Sequence, residues 1–168
     1  MHYARMESPI GPLIVGASER GLVCVHFGKE LPRLPHVGKV EWRESREKTA
    51  PYCTELEEYF AGRRRAFHMP LDLRGTDFQK RCWQALLAIP YGQTRSYRDI
   101  AGAVGRPTAF RAVGLANHDN PIAIVVPCHR VLASDGSLCG YGGGLDVKRK
   151  LLELEGGLVP TLFDNVTA

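Results

Sequence analysis

The sequence predicts an α+β protein, with a small N-terminal antiparallel β-sheet domain over residues 1–70 and a mainly α-helical C-terminal domain with a helix-turn-helix over residues 71–168. Three observations predict it. Short apolar runs punctuated by glycine and proline fill the start of the chain, as in a meander. After "FHMPLDLRG" the apolar residues fall instead at helical spacing. The length of 168 residues suits one sizeable domain or two small ones sharing an interface.

The strands are "GPLIVGA" and "GLVCVHF", with "SPIGP" and "SERG" as their turns. "GKELPRLPHVGK" reads as a loop, and from Arg46 to Ala61 the spacing of Tyr52, Leu56, Tyr59 and Phe60 predicts a helix stopped by Gly62. Arg63, Arg64 and Arg65 then read as a solvated helix end that complements the dipole. Thr76 and Gln79 form a capping box that opens a helix with Phe78, Cys82, Trp83, Leu86 and Leu87 on its core face. Ser96 and Asp99 form a second box for "SYRDIAGAVG", which Gly105 closes. "AFRAVGLAN" follows a short turn, and the two helices outline a helix-turn-helix. Ala109, Ala112 and Ala116, with Gly114 nearby, put small residues on one stripe around Arg111, while Phe110 and Val113 are available for core packing.

Composition is ordinary for a folded protein, with 44% hydrophobic and 24% charged residues, which excludes disordered and fibrous classes. A net charge of +4 permits contact with a polyanion without requiring it. Five cysteines without a C-x-x-C pair suit a reducing compartment, and neither a signal peptide nor a long apolar span is evident, so a cytoplasmic protein without membrane contact is expected. Cys24 and His26 lack partners at zinc spacing, so no metal is assigned.

"NPIAIVVPCHRVL" is the informative segment, read as an extended apolar run in which Pro127 fixes the direction of Cys128. A buried His129 and Arg130 beside it are expensive without purpose. A thiol reacts as thiolate, and His129 is the nearest base. Neighbours on an extended chain face opposite ways, so a bridging water is expected between the two. Asp135, Asp146, Glu153 and Glu155 are all candidates to orient the imidazole.

"GTDFQKRCWQALLAIPYGQTRSYRDIA", "RAVGLAN", "PCHRVL" and "GYGGGLDVKRKLLELEG" occur in order from Arg74 to Gly157, and together they resemble the O6-alkylguanine-DNA alkyltransferases. "SPIGPLIVGASERGLVCVHF" is similar to that family's N-terminal sheet, which implies a ribonuclease H-like fold. The resemblance implies stoichiometric transfer of an alkyl group from O6 of guanine in duplex DNA to Cys128 after the base is flipped, without a cofactor. His129 would then be the base acting through water, Glu155 its orienting acid, and Asn120 the tie between the recognition helix and the cysteine segment. Tyr97 would bind the flipped base and crowd its phosphate, and Arg111 would fill its place in the stack. Ala109, Ala112 and Gly114 would allow close approach to the minor groove. Val131, Tyr141, Gly142 and Gly143 would frame the base, Val131 through its carbonyl and Gly142 through its N–H. The implied partner is double-stranded DNA containing O6-alkylguanine, met by a monomer that can cluster on DNA.

Phe110, His118 and Asp119 stand where many relatives carry small residues. Two other readings use the same residues: a non-catalytic helix-turn-helix lesion-binding protein, and a cysteine hydrolase built on Cys128, His129 and Glu155. Adjacent Cys and His are unlike the distant pairs of thiol proteases, which disfavours the hydrolase.

Overall fold

A computed structural model describes residues 1–157; the end of the expected C-terminal domain, 158–168, lies outside the described residues. The chain opens with strands β1 (His2–Met6), β2 (Leu13–Ser18) and β3 (Gly21–Phe27), which pair antiparallel as the meander predicts. A two-residue strand, β4 (Arg43–Glu44), adds parallel to β1, giving the order β3-β2-β1-β4. It lies in a stretch whose sequence carries no strand signal, and it is held because Arg43 N–H donates to the Met1 carbonyl and Ser45 N–H to that of Tyr3.

Helix α1 (Arg46–Phe60) begins on a Ser45 cap and ends before Gly62, whose φ of 74° is the left-handed conformation that glycine adopts without a steric penalty. It lays Leu56 and Tyr59 into the core. The following arginines are not uniformly solvated: Arg64 pairs with Glu58 at 2.7 Å and with Glu55 at 3.4 Å, drawing that turn back onto α1.

Both expected capping boxes are present. Thr76 and Gln79 start α2 (Asp77–Leu87), and Ser96 and Asp99 start α3 (Tyr97–Ala103). Helix α4 (Phe110–His118) packs on α2 and α3, which completes the helix-turn-helix. Helix α5 (Leu145–Leu154) closes the described chain. One core runs through sheet and helices, joining Val15, Val25 and Tyr59 to Trp83, Val113, Ile122 and Leu151.

The nucleophile segment corrects the sequence reading. Residues 121–127 form successive turns rather than an extended run, and Cys128–Arg130 is a single 3-10 turn. Ile124 has φ of 74°, an unfavourable conformation for a β-branched residue, yet it is wholly buried. Tertiary contacts impose this shape. Val25 N–H donates to the Pro121 carbonyl at 3.0 Å, Ala123 N–H donates back to Val25, and the Asn120 side chain accepts from Ile122 N–H at 3.0 Å. Two short parallel strands, β5 (Arg95–Ser96) and β6 (Val131–Leu132), then bring the start of α3 beside the end of the nucleophile turn.

Candidate active site

Cys128 is held at the start of the 3-10 turn with 8% of its surface exposed. The Asn120 amide donates to Sγ at 3.2 Å and to the Val126 carbonyl at 2.8 Å, so it fixes both the thiol and the turn that carries it. Burial raises the thiol pKa above its ordinary value, while the Asn120 hydrogen bond and the positive Lys148 oppose the rise. The thiol therefore needs a base to become nucleophilic near neutrality.

His129 is fully buried and its Nε2 lies 2.8 Å from Glu155 Oε1. Burial lowers the His129 pKa, against the pull of Glu155. Burial also acts to raise that of Glu155, but hydrogen bonds from His129 and Arg130 outweigh it and hold the carboxyl at about 2. The acid is thus ionised and accepts only. Nε2 must then carry the imidazole proton, and Nδ1, which has no protein partner, keeps its lone pair.

Glu155 is itself clamped. Arg130 binds it in a fork, Nε to Oε2 at 2.8 Å and Nη2 to Oε1 at 2.9 Å, and also donates to the Ile89 carbonyl at 2.7 Å. The Tyr59 hydroxyl donates to Oε1 at 2.7 Å. Neither Tyr59 nor Lys148 was assigned a role from the sequence, where Tyr59 only marks helical spacing. Lys148 is fully buried and donates to the carbonyls of Val131 at 2.7 Å and Cys139 at 2.9 Å, which pins the glycine-rich loop to the nucleophile turn.

Two cavities meet at Cys128. The smaller, about 110 Å³, is bounded by Tyr97, Gly114, Gly140 and Gly142. The larger, about 530 Å³, extends toward Phe27 and the 31–35 loop of the N-terminal part. Asn117, His118, Tyr141 and Gly142 line both. The Tyr141 ring packs edge-on against Phe27, with centroids 5.6 Å apart. Val131 and Gly143 line neither. The Val131 side chain is in the core, and Gly143 lies so near Phe27 that a Cβ would sit 3.0 Å from its ring. The Tyr97 hydroxyl reaches the Cys139 carbonyl at 3.4 Å, a long bond that leaves it able to meet another acceptor.

On α4 the small-residue stripe divides. Ala112 and Arg111 are exposed, Ala109 and Gly114 are half-buried, but Ala116 is buried and its carbonyl accepts from Trp83 Nε1 at 2.9 Å. Phe110 does not serve the core as expected: it is 40% exposed, with the Arg98 guanidinium 5.9 Å from its ring. Of the two, it is Val113 that packs into the core, wholly buried, with Ala116 of the same helix.

A family model for the ribonuclease-like domain of 6-O-methylguanine DNA methyltransferase matches residues 1–73, and one for its DNA-binding domain matches residues 77–157. The chain belongs to the 6-O-methylguanine DNA methyltransferase family. A methylated-DNA--protein-cysteine methyltransferase of Methanosarcina barkeri is 48% identical, over 92% of this chain and 97% of its own length. One from Mycobacterium tuberculosis is 49% identical, over 98% and 99%. The crystal structure of Mycobacterium tuberculosis OGT in complex with DNA superposes with a TM-score of 0.82, at 48% identity and with 93% of each chain covered. The more distant O6-methylguanine-DNA methyltransferase of Pyrococcus kodakaraensis gives 0.58 at 27% identity, with 92% and 98% covered. Membership of the methyltransferase family accounts for the α+β architecture, a sheet domain followed by a helical DNA-binding domain. Among the described residues no helix is long and apolar enough to cross a membrane, and no cluster of side chains could hold a metal ion.

Proposed function

We propose that this chain repairs DNA directly, taking an alkyl group from O6 of guanine in duplex DNA onto the Cys128 thiol, once per molecule. The observation that carries the reading is a buried thiol at the junction of two cavities, backed by a neutral imidazole whose far nitrogen is held by an ionised carboxylate.

The Cys128 proton passes to His129 Nδ1 through a water, and Glu155 stabilises the imidazolium that forms. The thiolate attacks the alkyl carbon opposite the guanine oxygen; the S–C bond forms as the C–O bond breaks. Charge developing on the departing base is met by the Tyr97 hydroxyl and the Gly142 N–H, donors on the wall of the smaller cavity. The product is a thioether, which water does not cleave as it would a thioester, and this makes the protein a reagent used once.

Duplex DNA is the partner. The exposed Arg111 and Ala112 of α4 present the face that enters the minor groove, and the base rotates outward to reach a thiol that lies inside the protein. The five cysteines are all unpaired, which suits a reducing cytoplasm. The test is to incubate the protein with a duplex containing O6-methylguanine and weigh it. A gain of one methyl on Cys128 is the expected result; DNA binding without any gain would make the chain a lesion-binding module instead.

A further inference from the structure

Asn117 is 9% exposed, and both polar atoms of its amide are buried without a protein partner. A lost amide hydrogen bond is costly, so such a group is kept where a ligand completes it. Asn117 lies near the end of α4, on the wall shared by the two cavities at Cys128, and the Tyr141 hydroxyl on the same wall is also buried and unpartnered.

In-line displacement fixes how a substrate divides between these spaces. Sulfur, reacting carbon and guanine oxygen must be collinear, so the remaining atoms of the substituent leave the carbon sideways. With the base in the 110 Å³ cavity, those atoms enter the 530 Å³ cavity, which is within the size range of small-molecule sites and far larger than a methyl group requires. Its outer wall is built by the N-terminal part, from Phe27, Leu31 and Pro35.

Resting on the alkyl-transfer reading, we propose that the larger cavity is a substituent site selective for O6 groups longer than methyl that carry a neutral hydroxyl, with the Asn117 amide as its recognition group. An O6-(2-hydroxyethyl) group offers the Asn117 amide both a donor and an acceptor. An O6-propyl group of the same length leaves both amide atoms unsatisfied.

The experiment compares single-turnover transfer from duplexes carrying O6-methyl-, O6-(2-hydroxyethyl)- and O6-propylguanine. The unmodified chain is expected to take hydroxyethyl about tenfold faster than propyl, the size of one net hydrogen bond. Asn117→Leu, close in volume and without polar atoms, is expected to bring that ratio to about one. Leu31→Trp at the 38% exposed outer wall is expected to lower the rates of both longer groups relative to methyl by roughly tenfold. A hydroxyethyl-to-propyl ratio of one in the unmodified chain, or a ratio that survives Asn117→Leu, overturns the recognition role. An unaltered long-to-methyl ratio in Leu31→Trp overturns the placement of the substituent. Each of these leaves the parent reading intact when methyl is transferred; absence of methyl transfer by the unmodified chain overturns both.

Discussion

Glu155 joins three parts of the chain through one carboxylate, receiving the Tyr59 hydroxyl from α1, His129 Nε2 and the fork of Arg130. These donors hold it ionised at about 2, so they also hold the imidazole in the tautomer whose Nδ1 can accept a proton. Glu155→Gln keeps the shape but replaces an ionised acceptor with an amide, so His129 loses the charge that supports it as base, and single-turnover transfer is expected to fall on the order of a hundredfold. Cys128→Ala is expected to abolish the mass gain while DNA binding persists, measured by gel shift on the same duplex. The pH profile follows from the two shifts at the site. His129 is lowered from 6.5 by burial and Cys128 is raised from 9.0 by burial, so the base is already free and the thiol still protonated at neutrality. The transfer rate is expected to climb with pH above neutrality, and a rate maximum near the ordinary histidine value would contradict this assignment.

At the scale of the element, α4 presents Arg111 beside Phe110 and Leu115, which are 40% and 62% exposed. An apolar surface interrupted by arginine suits a minor groove from which a base has been rotated. Arg111→Ala removes the group proposed to fill the vacated stack, so reaction with the lesion in duplex DNA is expected to slow by at least about tenfold, in line with the value of one stacked side chain. Reaction with free O6-alkylguanine, which needs no flipping, is expected to change less; equal loss in both assays would refute the stacking role. The helices on which α4 packs, α2 and α3, were legible because their signals are local: Thr76 with Gln79 and Ser96 with Asp99 satisfy each other within one turn. "IAIVV" was not, since a β-branched run reads as a strand until the Asn120 amide and the Val25 backbone bend it into turns. Tyr59 lies 96 residues before the carboxylate it serves, and its spacing within α1 announces only a core position. Lys148 and Asn117 failed for the same reason: lysine on a helix and asparagine near a helix end are ordinarily solvated, and only the packed neighbours show that these two are not.

The whole molecule is organised so that the site and the stability of the fold share the same residues. Glu155 is depressed from 4.5 to about 2 and so stabilises the folded state above 4.5; that contribution is lost as pH falls toward 2. His129, lowered from 6.5, acts in the same sense from a higher starting point, because the unfolded chain takes up its proton first as the solution is acidified. Stability is therefore expected to decline below pH 6.5 and more steeply below 4.5, and Glu155→Gln should flatten the lower part, measured by thermal melts across pH. Alkylation draws on the same coupling. The Cys128 sulfur accepts from the Asn120 amide at 3.2 Å, and that amide also secures the turns joining α4 to the nucleophile. Turning the thiol into a thioether adds a carbon there and leaves a poorer acceptor, costing on the order of 1 kcal/mol. For a chain of this size that corresponds to a fall in Tm of roughly 2–4 °C after methyl transfer. Asn120→Ala has already lost the bond, so its Tm should fall less on alkylation, even if transfer into that variant must be driven by excess duplex and longer incubation. Equal falls in the two proteins would locate the destabilisation in crowding around the new carbon, whereas an unchanged Tm in the native sequence would show that the cavities beside Cys128 absorb the methyl group without strain.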